Sequence, residues 1–214
     1  MFVGKVREGQ TVLFQGDSIT DAGRFREDTF HLGSGYASLA ASWFTAAFPH
    51  MNVSFLNRGI SGNRIGDLLR RWQEDCIELQ PDIVSILIGI NDCWRRYDQH
   101  DPTTLSDFKN RYRRLLEWTQ NDLDVHLVLM EPFVLPIPED RKQWRDDLDP
   151  KIHAVRELAR EFNATFVSLD GVFAQAAAQQ PMSTWAPDGV HPTMAGHALI
   201  AQQWLRALGV AVPY

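Results

Sequence analysis

The sequence predicts a three-layer α/β fold, in which a parallel sheet lies between two layers of helices. Two observations carry this expectation. Short apolar runs alternate along the chain with longer stretches of helical periodicity, and the run from Ile83 to Ile88 is almost continuously apolar, as a strand covered on both faces requires. Strand–helix alternation of this kind implies right-handed crossovers between parallel neighbours. A third observation sets the scale: 214 residues fit one domain, 1–214, which buries roughly 70% of the surface its unfolded chain exposes.

The elements follow in chain order. "TVLFQG" from Thr11 is a short apolar run ending on glycine, and "YASLAASWFTAAF" after Gly35 carries the spacing of an amphipathic helix. "VSFLN" from Val53 is the second strand, followed by the helical "RIGDLLRRWQEDCIEL", which Pro81 terminates. The third strand, "DIVSILIG" from Asp82, leads to "LSDFKNRYRRLLEWTQ" after Thr104, a helix with a capping residue in place. "VHLVLMEP" from Val125 and "TFVSLD" from Thr165 are strands four and five, and "DPKIHAVRELAREF" between them is a helix. A last helix is expected from Pro192 to Leu208, with proline in its first turn and Gly209 after its end. The longest irregular piece, Glu131 to Pro150, reads as a mobile wall beside a site, its acids Asp146, Asp147 and Asp149 capping the helix that follows.

Bulk properties narrow the function classes. A net charge of -6 without a basic stripe argues against nucleic acid and suits a neutral or cationic small substrate. No stretch reaches the roughly 18 apolar residues of a membrane span, and "MFVGKVREGQ" holds no secretory h-region, so the expectation is a cytoplasmic protein without membrane contact. Cys76 and Cys93 form neither a C-x-x-C pair nor a metal cluster and read as reduced thiols.

In an open parallel sheet, ligands bind beyond the carboxyl ends of the strands, and four segments there carry chemistry. The first is Gly16-Asp17-Ser18. A serine needs an imidazole to take its proton and a third group to orient that imidazole, so Ser18 fits a helix N-cap as readily as a nucleophile. The G-x-S-x-G elbow is not matched, because Thr20 stands where the second glycine would be. Among seven histidines, only His191 follows an acid in a turn, Asp188-Gly189-Val190-His191, which can present acid and base together. His197 and the remaining histidines read as structural. Gly62, in "NRGISGNR", lets a backbone N–H approach a bound group, and Asn91, in "GIND", offers a neutral amide N–H; each also fits an ordinary turn or cap.

Taken together, "GDSITD", "GISGN", "GIND" and "DGVHPT" resemble the blocks of the SGNH hydrolases, the GDSL esterase and lipase family, over most of the chain. The resemblance implies a flavodoxin-like fold with strand order 2-1-3-4-5. It also implies Ser18 as nucleophile, His191 as base oriented by Asp188, and an oxyanion hole of Ser18, Gly62 and Asn91. No metal or organic cofactor is implied. The wording around these blocks is most similar to bacterial intracellular acetylxylan esterase-type carbohydrate esterases, which implies an acetylated sugar as substrate and allows assembly into a homo-oligomer. Lipase, lysophospholipase and thioesterase relatives share the blocks, and a flavodoxin-like binding protein holding a phosphate on "GDSIT" is a further alternative.

Trp94, Tyr97 and Trp185 are candidates for stacking on a sugar face, with Arg95 and Arg96 as hydroxyl partners. Asp17 joins them as a residue of the site, chiefly by shaping the turn.

Overall fold

The structure, a computed structural model, describes residues 1–211. A two-stranded antiparallel hairpin, β1 (Phe2–Val3) with β2 (Val6–Arg7), opens the chain. Five parallel strands then form the sheet: β3 (Thr11–Gly16), β4 (Ser54–Asn57), β5 (Ile83–Leu87), β6 (His126–Met130) and β7 (Thr165–Val167), in the order β4-β3-β5-β6-β7. Numbered within the sheet, that order is 2-1-3-4-5, as expected. Nine helices connect the strands or close the chain among the described residues: α1 (Ser18–Asp21), α2 (Tyr36–Ala47), α3 (Ile65–Asp75), α4 (Ile90–Asp98), α5 (Leu105–Asp122), α6 (Arg145–Glu161), α7 (Leu169–Ala177), α8 (Met182–Trp185) and α9 (Met194–Ala207).

Period-two alternation divides each strand between two cores. Val12 and Phe14 of β3 join Phe44 of α2 and Trp204 of α9 on one face, while Leu13 joins Trp72 of α3, Tyr112 of α5 and Leu158 of α6 on the other. All five residues of β5 are buried, so this central strand has no polar face to alternate. Ser85, an apparent interruption of β5, is explained by packing: its Oγ accepts the Trp204 indole N–H at 2.9 Å. An unpaired buried donor costs about 1–3 kcal/mol, which a valine at that position would impose on Trp204.

Three features differ from the sequence reading. The last helix begins at Met194, because Thr193 accepts from the Gly196 N–H and acts as its cap, leaving Pro192 in the preceding turn. The 131–150 segment does line the site, but it is a packed wall. Phe133, Val134, Leu135 and Trp144 are buried in the core, and the fully buried Glu131 carboxylate binds Arg156, the Ser168 hydroxyl and the Asp170 N–H. Asp146, Asp147 and Asp149 do not cap α6, whose N-terminus has no side-chain cap. A short 3-10 helix over Glu139–Trp144 runs directly into α6, so Asp147 and Asp149 lie inside the helix, where they pair with Lys151 and Arg145.

Candidate active site

The carboxyl ends of β3, β4 and β5 and the turn before α9 meet at one edge of the sheet. At the end of β3 the backbone is crowded: a Cβ on Gly16 would lie 2.2 Å from Thr20 Oγ1 and 2.4 Å from the Leu87 carbonyl, so only glycine allows the chain to turn there. Asp17 then caps α1 by accepting the Ile19 N–H at 3.0 Å. Because the cap is Asp17, the hydroxyl of Ser18 is released from that role. Ser18 Oγ instead lies 3.0 Å from His191 Nε2.

His191 is held by its own turn. Its Nδ1 lies 2.6 Å from Asp188 Oδ2, while Asp188 Oδ1 accepts the N–H groups of Val190 at 3.0 Å and His191 at 2.7 Å. With the proton on Nδ1, Nε2 is free to accept from the serine. The turn is pressed against the wall: Gly189 adopts φ +81, and a Cβ there would fall 2.3 Å from the Ile137 carbonyl. Hydrogen bonding to Asp188 raises the His191 pKa above its ordinary value of 6.5. Partial burial acts against ionisation of Asp188, but the hydrogen bonds from His191 and Val190 outweigh it and hold the carboxyl below the usual range.

The loop after β4 is anchored to the serine turn at several points. Gly59 packs so closely on α1 that a Cβ would lie 2.3 Å from the Asp21 N, and Asp21 Oδ2 accepts both the N–H and the hydroxyl of Ser61. Gly62 follows at φ +83, a left-handed conformation that suits glycine, with open space where a side chain would project. Among the described residues neither the Ser18 nor the Gly62 N–H has an acceptor. Asn91 lies in the first turn of α4, 3% exposed, and its Nδ2 donates to the Asn63 carbonyl at 3.1 Å.

Two buried carboxyls support these turns. Asp17 is 1% exposed, so it acts on the site through the turn it caps and presents almost no surface to a substrate. Burial raises its pKa to about 7, and burial does the same to Asp92, whose Oδ2 accepts the Ile65 N–H at the start of α3.

The aromatic candidates separate in space. Trp94 reaches the site, its ring 5.8 Å from that of His191, with the Arg141 guanidinium 5.1 Å from the Trp94 centroid and 4.0 Å from that of Trp144. Tyr97 faces the wall, stacked on Trp144 with its hydroxyl donating to the Gln143 carbonyl. Trp185 is half-buried and packs on the core, and its carbonyl accepts the Thr193 N–H. Arg95 and Arg96 pair with Asp98 and Asp147. Trp144 and Arg141, which pack behind Trp94, lie in an irregular segment with no periodicity to orient them. His197 is buried, with Nδ1 accepting the Tyr36 N–H, and burial lowers its pKa to about 4.

Among the described residues no cluster of three or more His, Cys, Asp or Glu side chains is arranged to hold a metal ion, and no helix is long and apolar enough to cross a membrane.

The hydroxyl–imidazole–carboxylate line agrees with what the chain is similar to. The acetylxylan esterase of Geobacillus stearothermophilus is 37% identical over 213 residues, covering 96% of both chains. The solved structure of a putative GDSL-like lipase from Parabacteroides merdae superimposes with a TM-score of 0.94 at 35% identity, covering 98% of this chain and 100% of that one. A crystal structure of the Geobacillus esterase gives a TM-score of 0.87 at 35% identity over 97% of each chain. Catalytic mutants of that esterase replace a serine, an aspartate and the histidine three residues after the aspartate. The model of the GDSL-like lipase/acylhydrolase family matches residues 14–199, and the chain belongs to that family, the SGNH hydrolases.

Proposed function

We propose that this carboxylic ester hydrolase removes acetyl groups from carbohydrate, with xylan-derived oligosaccharides as substrate, through an acetyl-enzyme on Ser18. The observation that carries the mechanism is the continuous line from Ser18 Oγ through His191 to Asp188, at 3.0 and 2.6 Å. His191 takes the hydroxyl proton as Oγ attacks the acetyl carbonyl. The N–H groups of Ser18 and Gly62 and the Asn91 amide receive the oxyanion, at about 3–4 kcal/mol of transition-state stabilisation for each well-placed donor. Collapse of this intermediate breaks the bond to the sugar oxygen, which leaves with the proton from His191. Water then gives a proton to His191 as it attacks the acetyl group, and acetate departs as Ser18 regains its hydrogen. Asp188 keeps the imidazole in the required tautomer throughout.

The substrate part of the proposal rests on the Geobacillus relative's name and on the indole of Trp94 beside His191, a flat surface suited to a sugar ring. The lipase, lysophospholipase and thioesterase readings are not favoured: the family description and the Parabacteroides neighbour carry the word lipase, but neither names a long-chain substrate. The phosphate-binding reading leaves the line from Ser18 through His191 to Asp188 without a role. A cytoplasmic place of action is consistent with Cys76 and Cys93, both free and buried, and assembly of identical subunits remains part of the proposal. Acetate release from acetylated xylo-oligosaccharide, compared with hydrolysis of short- and long-chain nitrophenyl esters, tests the substrate. The acetylated sugar is expected to give the highest kcat/KM, and a preference for the long chain would overturn it.

The base must be neutral to act. Since its pKa is raised by Asp188, kcat/KM is expected to fall as pH drops through a midpoint above 6.5, at higher pH than for an isolated histidine. A pH–rate profile flat from about 5 to 9 would remove His191 from this role.

A further inference from the structure

Three donors that converge on one oxyanion come from three separate strand ends, and a displacement near 1 Å can cost about 100-fold in rate. The loops therefore need a common anchor. One side chain of α3 touches two of them directly. Arg71 is 14% exposed, and its Nε donates to Asn63 Oδ1 at 2.9 Å, its Nη1 to Gln15 Oε1 at 3.0 Å and Asp75 Oδ2 at 2.8 Å, and its Nη2 to the Gly16 carbonyl at 3.4 Å. Gly16 ends β3 just before Asp17 and Ser18, and Asn63 follows Gly62 directly. The Asn63 carbonyl in turn accepts from Asn91 Nδ2. A single guanidinium thus links the turn of Ser18, the turn of Gly62 and, through Asn63, the amide of Asn91.

We propose that Arg71 is a positioning residue of the oxyanion site, acting beside the Asp21–Ser61 bonds that also hold the loop after β4. Its planar fork sets the Gly62–Asn63 turn against the end of β3, and so fixes the distance between the donors. Lysine cannot replace it fully, because a compact ammonium lacks the rigid, divergent N–H groups that reach Asn63 and Gly16 together. Asp75 and the buried Gln15 complete the set: Asp75 offsets the charge, and Gln15 is itself oriented by donating to the Asp75 carbonyl at 2.7 Å. This inference rests on the reading of Gly62 and Asn91 as oxyanion donors.

The test compares Arg71→Met, Arg71→Lys, Asn63→Ala and the Arg71→Met/Asn63→Ala double variant with wild type on nitrophenyl acetate. Active sites are counted by titration to completion with a fluorophosphonate. Expected for Arg71→Met is a kcat per titrated site lowered about 10- to 100-fold with KM changed less than about threefold, since the lost interaction acts on the transition state. Binding of methylboronic acid, which forms a tetrahedral adduct with the serine, should weaken by the same factor as kcat/KM. Arg71→Lys should fall between, and the double variant should lose no more than Arg71→Met alone, because both changes cut one link. If Arg71→Met does not fold, Asn63→Ala carries the test, since it leaves Arg71 its bonds to Gln15, Gly16 and Asp75. Wild-type kcat per titrated site in these variants, with only Tm lowered, would overturn the inference, as would losses that multiply in the double variant. Ser18→Ala measured alongside separates the two failures: if it is inactive while the Arg71 and Asn63 variants are unimpaired, only the positioning role falls. An active Ser18→Ala removes the underlying reading as well.

Discussion

Replacing Ser18 with alanine is expected to lower kcat for ester hydrolysis by about 10⁴-fold or more, with the fold unchanged. The size follows from the chemistry. Without Oγ no acetyl-enzyme forms, and the oxyanion donors alone can assist only direct attack by water. The structural cost is small, because Ser18 is not the helix cap. Asp17 accepts the Ile19 N–H, and the one side-chain hydrogen bond lost, to His191, is worth about 1 kcal/mol. Mass spectrometry of enzyme quenched during turnover should find an acetyl group on the Ser18 peptide of wild type and none on the variant. Residual kcat within about tenfold of wild type would show that Ser18 is not the nucleophile.

Asp188→Asn should cost about 10³- to 10⁴-fold in kcat, and its value lies in what it leaves intact. Asp188 Oδ1 closes the turn by accepting from Val190 and His191, a role that an asparagine oxygen also fills. The other oxygen, 2.6 Å from His191 Nδ1, becomes an amide N–H2 that cannot accept from it. The imidazole is then driven to carry its proton on Nε2, where it blocks acceptance from Ser18. Loss of the carboxylate also removes the cause that raises the His191 pKa, so whatever activity survives should show its acidic limb at lower pH. Circular dichroism and Tm near wild type, together with that displaced limb, distinguish a tautomer effect from unfolding. A wild-type plateau in kcat would reject the role of Asp188.

The difference between these two residues and Arg71 shows what made part of the site legible. Ser18, Gly62, Asn91, Asp188 and His191 lie just beyond strands or in a short turn, where unusual residue types stand out against apolar runs. Arg71 lies in "LLRRWQED", where an arginine in a helix reads as solvated surface, and nothing local reveals that it points inward to Gly16 and Asn63. The same limit applies to Ser85, whose partner Trp204 is 119 residues away, and to Asp146, Asp147 and Asp149, which resemble caps until the 3-10 helix before them is seen to continue into α6. Helix α4 escaped notice because Trp94 to Asp98 follow Asn91 without an apolar stripe long enough to declare a period.

The sequence by itself determined the five parallel strands, most of the long helices, the family blocks and the groups proposed to react. Those features depend on local terms, namely the two-residue and 3.6-residue periods of burial and the turn chemistry of glycine, proline and aspartate. Only the tertiary structure decided that Asp17 caps the helix and frees the Ser18 hydroxyl, that the wall at 131–150 is packed, and that Trp94 faces His191 while Tyr97 and Trp185 turn to the wall and the core. Ser18 and His191 are separated by 173 residues, and the direction of a hydroxyl or a guanidinium depends on partners brought from that distance by the sheet. No local pattern encodes such a partner, because the hydrogen bond exists only after both strand ends reach the same edge.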